Sequence, residues 1–497
     1  MAKITDYDKY DGLGLSKLVQ DKEVTPLELL EEAISRAEKL KKLNTIIYPM
    51  YDLARKSAQK PLPKGPFTGV PFLLKDLIAD YEGTPISYGS KSLRNNISKA
   101  DSELVKRFKA AGVVIFGKTN APEFGIMGTT EPEHFKPCLN PWDLKRSTGG
   151  SSGGSASAIA AGIVPIAHGG DGGGSIRIPS SMCGLFGLKP SRGLTPLGPH
   201  GEIMDGAVVQ HIISRSVRDS AAMLDATMGL ELGSPYKVVL PQREPLLNAQ
   251  NLPFKKLKIA YSIKSIMGAD VHPDVRAAFN NTIDILKGLG HELVEDQPAL
   301  DGNTISKIYL INLAGHISSD VENAKKLVGG NLALSEMETL TKTLALIGRN
   351  LTALEFIQAK KYWHEITYTM DLFHEKYDLY LTPVVAVPPP ILGSQKLKPL
   401  EIFLMKIINF TGAGRILIKS GIVEKIAKES FEKFPFTQIS NLSGNPSMSV
   451  PLYWTKDNLP IGSLFSAKWG DEATLLRLAF ELEKSSPWFN KRPIISN

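Results

Sequence analysis

Cysteine is nearly absent: Cys138 and Cys183 are the only two in 497 residues. Two thiols without a Cys-x-x-Cys spacing exclude a disulfide framework and a cysteine-ligated zinc site, and they fit a reduced, intracellular setting. Long apolar runs are missing as well. The longest charge-free stretch, Ser147 to Gly170, is broken by glycine and serine. Its apolar part, Ala156 to Ala167, is shorter than the roughly 20 residues a membrane-spanning helix needs. The first residues, Met1 to Asp8, carry early acids and no apolar core of the secretory kind, so a cytoplasmic protein without an integral membrane segment is expected. Charge of one sign is not concentrated either. Fifty-eight Lys and Arg against 51 Asp and Glu leave a formal charge of +7, and the densest short run, Glu38 to Lys42, reads as a helix end. Dispersed basic charge is a solvated surface, so nucleic acid is not an expected partner. The 42% hydrophobic content excludes disorder. No repeat of 20 to 50 residues and no low-complexity linker divides the chain. Residues 1–497 are therefore read as one domain, although length alone would suggest about three.

What is present is an alternation of helix and strand signals. Thr25-Pro26-Leu27-Glu28 carries a helix start, and apolar Leu27, Leu30, Ala33, Ile34 and Ala37 follow at helical spacing. Gly69 to Leu74 reads as a short buried strand ending at Lys75-Asp76. A helix from Asp101-Ser102-Glu103 closes at Gly112, and Val113 to Phe116 reads as a β-branched strand. The pattern predicts an α/β fold, a mixed sheet covered by helices on both sides. One departure is the segment 391–435. Its apolar run Ile402 to Phe410 is followed by Arg415, Lys419, Lys425, Lys428 and Lys433. This helical insertion is a candidate lid over a substrate pocket, a membrane-surface helix or a dimer contact, set against ordinary packing.

The other departure carries the chemistry. Of the 43 glycines, many fall in Gly149-Gly150-Ser151-Ser152-Gly153-Gly154-Ser155 and in Asp171-Gly172-Gly173-Gly174-Ser175-Ile176-Arg177. Glycine-rich turns can aim several N–H groups at one point and so stabilise an anion, either a phosphate or the oxyanion of an acyl intermediate. Neither cluster has the lysine of a phosphate-binding P-loop, and neither is convincing as a dinucleotide fingerprint. Ser151 and Ser175 lie 24 positions apart, His168 is the only histidine nearby, and no Gly-x-Ser-x-Gly elbow surrounds Ser175. A Ser-His-Asp hydrolase therefore fails at its motif.

These residues resemble the amidase signature family of serine amide hydrolases. The resemblance rests on Lys75 after its strand, on both glycine clusters through Ile178-Pro179 and on Cys183 to Ser191. Leu381-Thr382-Pro383, Asn441 to Pro446 and Leu459 to Gly462 add to it. It runs from about Leu27 to Glu483 and is weakest between Tyr236 and Tyr377. It implies a Ser–cis-Ser–Lys triad, with Ser175 as nucleophile, Ser151 as bridging serine held by a cis peptide after Gly150, and Lys75 as terminal base. Gly172, Gly173, Gly174 and Ser175 would supply the oxyanion hole. Lys75 must be neutral to accept a proton, which burial would favour. Ser152, Asp171 and Arg177 are expected as near-site structural groups, and Met127, Gly128, Thr129 and Thr130 as pocket residues.

Lys118 and Lys189 are rival bases by spacing alone, each with a structural alternative. His168 is expected as scaffold and Cys183 as a small buried residue. The resemblance implies no cofactor and no metal. The expected partner is a small-molecule amide, in a monomer or homodimer. Aryl, acyl or ω-amino-acid amides, including linear or cyclic 6-aminohexanoate-type amides, are the expected substrates. The alternatives are the glutaminase subunit of a tRNA-dependent amidotransferase and a non-catalytic binding module on the same fold.

Overall fold

The computed structural model describes residues 6–235, 244–329, 334–396, 398–415 and 431–495. Its strands are β1 (Ile46–Pro49), β2 (Pro71–Lys75), β3 (Val114–Thr119), β4 (Leu139–Asn140), β5 (Asp143–Ser147), β6 (Ile166–Asp171) and β7 (Phe186–Lys189). They continue with β8 (Val209–Ser214), β9 (Lys258–Tyr261), β10 (Glu292–Glu295), β11 (Leu379–Pro383), β12 (Ser447–Trp454) and β13 (Pro460–Ala467). Eleven of them form one mixed sheet in the order β1-β3-β2-β6-β8-β7-β12-β13-β11-β9-β10, while β4 and β5 pair separately. The expected α/β architecture is the observed one.

β2 runs parallel to both β3 and β6, so the chain leaves Lys75, Thr119 and Asp171 at the same edge of the sheet. Strands covered on both faces read as near-continuous apolar runs, and β2 and β3 are buried throughout. Their side chains alternate between two cores. Leu73, Val114 and Phe116 join Leu30, Ala33 and Ile34 of the helix Pro26–Lys39, together with Ala156 and Ile159 of the helix Gly153–Ala160. Phe72, Leu74 and Ile115 face Phe67, Leu104 and Phe108 on the other side. The helix Pro26–Lys39 opens as its sequence predicts: Glu28 N–H donates to Thr25 Oγ1, and Thr25 N–H donates back to the Glu28 carboxylate.

A third core lies beyond the strand ends. The helices Gly302–Val328, Thr339–Asn350 and Ala353–His374 pack with Ile78, Met204 and Val208, covering the exits of β2 and β6. The apolar run of the insertion forms the helix Pro399–Thr411. Met405 is buried and Asn409 Nδ2 donates to Thr343 Oγ1, whereas Leu400, Phe403, Leu404 and Phe410 are exposed. Lys419, Lys425 and Lys428 lie outside the described residues. Among the described residues no helix is long and apolar enough to cross a membrane.

Candidate active site

The two glycine clusters meet at the exit of β6. Ser152 joins them: its N–H donates to the Ser175 carbonyl, its hydroxyl donates to the Gly170 carbonyl, and Gly170 N–H donates back to Ser152 Oγ. Glycine is required at 154 by crowding, since an added Cβ would come within 2.5 Å of the Asn120 nitrogen. The Gly150–Ser151 peptide bond is cis. The Ser151 hydroxyl lies 2.7 Å from Lys75 Nζ, which also lies 3.3 Å from the Gly170 carbonyl. Ser175, Ser151 and Lys75 open into one cavity of about 500 Å³.

Lys75 is buried, and loss of hydration brings its ammonium down to about 7, partly offset by the negative charge of Asp171. A low value alone does not single it out. Burial brings Lys189 to about 7 and Lys118 to about 8 as well. Geometry separates them: Lys118 Nζ donates to the Ala79 carbonyl, Lys189 Nζ to the Pro190 carbonyl, and neither lines the cavity. His168 is scaffold. Its Nδ1 accepts from the Lys75 backbone N–H, and burial holds the ring down to about 3, hence neutral. Cys183 is buried with its thiol pushed up by desolvation.

Asp171 and Arg177 form a buried ion pair. Burial would raise the Asp171 carboxyl, but the Arg177 guanidinium grips it at 2.8 and 2.9 Å and holds it well below the usual carboxylate range. Its oxygens also accept from Gly174 N–H at 2.7 Å and from Ile176 N–H. The Gly174 donor is thereby committed to Asp171, which corrects the expectation that all four N–H groups face a substrate. The N–H groups of Gly172, Gly173 and Ser175 have no acceptor among the described residues.

What orients this turn comes from far along the chain. Tyr309 Oη donates to the Gly172 carbonyl, Thr437 Oγ1 to the Gly173 carbonyl and Asn441 Nδ2 to the Asp171 carbonyl. These three bonds fix the peptides that carry the Gly172 and Gly173 N–H groups, while the third opposed N–H, that of Gly174, is the one Asp171 takes. Sequence reasoning quoted Asn441 within a motif and missed Tyr309 and Thr437, which carry no local signal. Gly173→Ala is expected to abolish catalysis, because its Cβ would collide with the Tyr309 hydroxyl. The double variant with Tyr309→Phe should recover part of kcat by making room; recovery of none would show that the glycine serves another purpose.

Met127 and Gly128 line the cavity, whereas Thr129 and Thr130 do not. Thr130 is buried, donates to the Gly149 carbonyl and accepts from Gly153 N–H; the Thr129 backbone abuts Gly150. These two threonines brace the serine loop. Of the insertion, Gln395, Phe431 and Phe434 reach the cavity wall. No three-residue cluster of metal-ligating side chains occurs among the described residues.

A family model described as Amidase matches residues 28–476. A 6-aminohexanoate-cyclic-dimer hydrolase of Pseudomonas sp. strain NK87 is 33% identical over 98% of this chain and 97% of its own length. A lipoamidase of Enterococcus faecalis is 32% identical over 97% of this chain and 64% of its own. A solved structure of a 6-aminohexanoate cyclic dimer hydrolase complexed with substrate superimposes with a TM-score of 0.88 at 31% identity. That match covers 99% of this chain and 100% of the other.

Proposed function

The chain belongs to the amidase family of carbon–nitrogen hydrolases, and on that premise we propose that it cleaves amides through an acyl-enzyme on Ser175, with Ser151 and Lys75 as its proton relay. The observation that carries the reading is the buried Lys75, brought down to about 7, with its Nζ 2.7 Å from Ser151 Oγ in the cavity that Ser175 enters. At neutral pH a large fraction of Lys75 is an amine, able to accept a proton. As Ser175 Oγ attacks the amide carbon, its proton passes to Ser151 Oγ, and the Ser151 proton passes to Lys75 Nζ. The carbonyl oxygen becomes an oxyanion facing the N–H groups of Gly172, Gly173 and Ser175, where one donor is worth about 2.7 to 4 kcal/mol of barrier. Collapse breaks the C–N bond, and the proton returns through Ser151 to the departing nitrogen. Water then repeats the sequence on the ester, releasing the acid and restoring Ser175.

One side of the wall beyond the serines is apolar, with Leu310, Leu313, Ile317, Leu340, Leu344 and Phe431. Together with the similarity to a 6-aminohexanoate-cyclic-dimer hydrolase, this supports ω-amino-acid amides as substrates, with Phe431 and Phe434 of the segment 391–435 acting as a lid. The test is a panel of aliphatic, aryl, peptide, cyclic and glutamine amides with amine or ammonia release measured on the purified chain. Release is expected from aliphatic ω-amino amides. Turnover confined to glutamine would replace this reading with a glutaminase.

A further inference from the structure

The cavity is drawn out along one helix. Tyr309, Leu313, His316 and Asp320 of the helix Gly302–Val328 succeed each other at spacings of four, three and four, so they share one face, and all line the cavity. At 1.5 Å per residue, Asp320 sits roughly 16 Å along the axis from Tyr309, whose hydroxyl holds the Gly172 carbonyl. The cavity therefore has a reactive end at Ser175 and a far end at Asp320, with an apolar wall between them.

At the far end His200, Glu202, His316 and Asp320 line the wall, and two further acids, Asp205 and Asp80, lie behind the two histidines. Asp205 accepts from Lys360 Nζ at 2.7 Å and from Asn312 Nδ2 at 2.6 Å, with His316 Nε2 at 3.5 Å. Asp80 is engaged by His200 and Ser98. Asp320 is open to the cavity and has no hydrogen-bond or ion-pair partner among the described residues, and Glu202 adds a further acid to the wall. An exposed cavity-lining carboxylate with no direct ion-pair partner among the described residues, its neighbouring histidines His316 and His200 being turned to Asp205 and Asp80, is complementary to a cationic chain end.

We propose that Asp320 is a specificity-determining residue that binds the terminal ammonium of a linear substrate chain, the cavity acting as a ruler between that ammonium and the scissile carbonyl. This rests on the amidase mechanism above and names the substrate class it takes. An extended chain covers about 3.3–3.6 Å per three backbone bonds, so roughly 16 Å corresponds to ten to fifteen bonds once the reach of the aspartate is allowed for. A short ω-amino acid amide would leave the aspartate unused; a chain of about two such units would satisfy both ends. The ammonium can belong to the acyl part or to the amine part of the amide, and the chemistry at Asp320 is the same.

The experiment compares two series of linear amides, one with the ammonium on the acyl chain and one with it on the amine chain, each at several lengths and each beside its N-acetylated neutral counterpart. In one series the intact enzyme should favour the ammonium by at least tenfold in kcat/KM at ten to fifteen bonds, and much less at five. Asp320→Asn should bring charged and neutral chains together through KM. Asp320→Lys should invert the preference toward carboxylate-terminated chains of the same length. Circular dichroism checks that both variants fold, and the gain of a new preference cannot come from misfolding. Hydrolysis without charge preference at any length, or a preference that survives Asp320→Asn, overturns this inference and leaves the amidase mechanism standing. Failure to cleave any amide overturns both.

Discussion

Ser175→Ala should eliminate covalent labelling by a fluorophosphonate and lower amide hydrolysis by about 10⁶-fold, the cost found when the serine nucleophile of a triad is removed. The loss should be specific to chemistry. The turn around Ser175 is held through main-chain groups, since Ser152 N–H donates to the Ser175 carbonyl and Asp171 collects the N–H groups of Gly174 and Ile176. Alanine keeps all of these. The variant should therefore melt within about 1 °C of the parent and still bind a substrate amide. Mass spectrometry of the intact chain after probe treatment reads the result directly: one adduct on the parent, none on the variant. An adduct or full turnover in Ser175→Ala would remove Ser175 from the mechanism.

Lys75→Met should cost nearly as much activity and yet stabilise the fold. The proposed relay needs Lys75 neutral, so kcat/KM should rise with pH through about 7 and then level off. The variant should lose that limb. The stability effect follows from the same displacement. Above about 7 the folded chain holds Lys75 as an amine, while the unfolded chain keeps it protonated until about 10.4. The unfolded state binds more protons across that window, so parental stability rises with pH between the two values. Removing the lysine relieves a penalty of roughly 4–5 kcal/mol, greatest below about pH 7 and vanishing near pH 10.4. Urea unfolding at pH 6.5 and pH 10 would measure it. A variant less stable than the parent at pH 6.5 would show that Lys75 is not held at a displaced value.

Much of this was legible from local sequence because local chemistry determines it. The helix start at Thr25 and Glu28 and the strand ending at Lys75 depend on residues within a few positions of each other. The two serine clusters were legible through their glycines and through resemblance. The pocket wall was not. Tyr309, Thr437 and Asp320 reach the site only through tertiary packing, and the helix Gly302–Val328 buries residues on several sides, which blurs any amphipathic stripe. Thr129 and Thr130, pocket candidates as loop residues, instead contact the serine loop, through the Thr130 hydroxyl and the Thr129 backbone. The Gly174 N–H was counted as a substrate donor because a sequence cannot show that Asp171 claims it first.

The outward pull on the Asp171–Gly173 carbonyls has a consequence in time as well as in space. The three groups that exert it stand 137, 264 and 270 residues downstream of their acceptors. On a ribosome adding about 5–20 residues per second, Asn441 follows Ser175 by roughly 13 to 50 seconds. Throughout that interval the nascent chain carries both serines and the lysine without the clamps that aim the turn. On the proposed mechanism, Ser175 therefore gains its full setting only after Asn441 has been added.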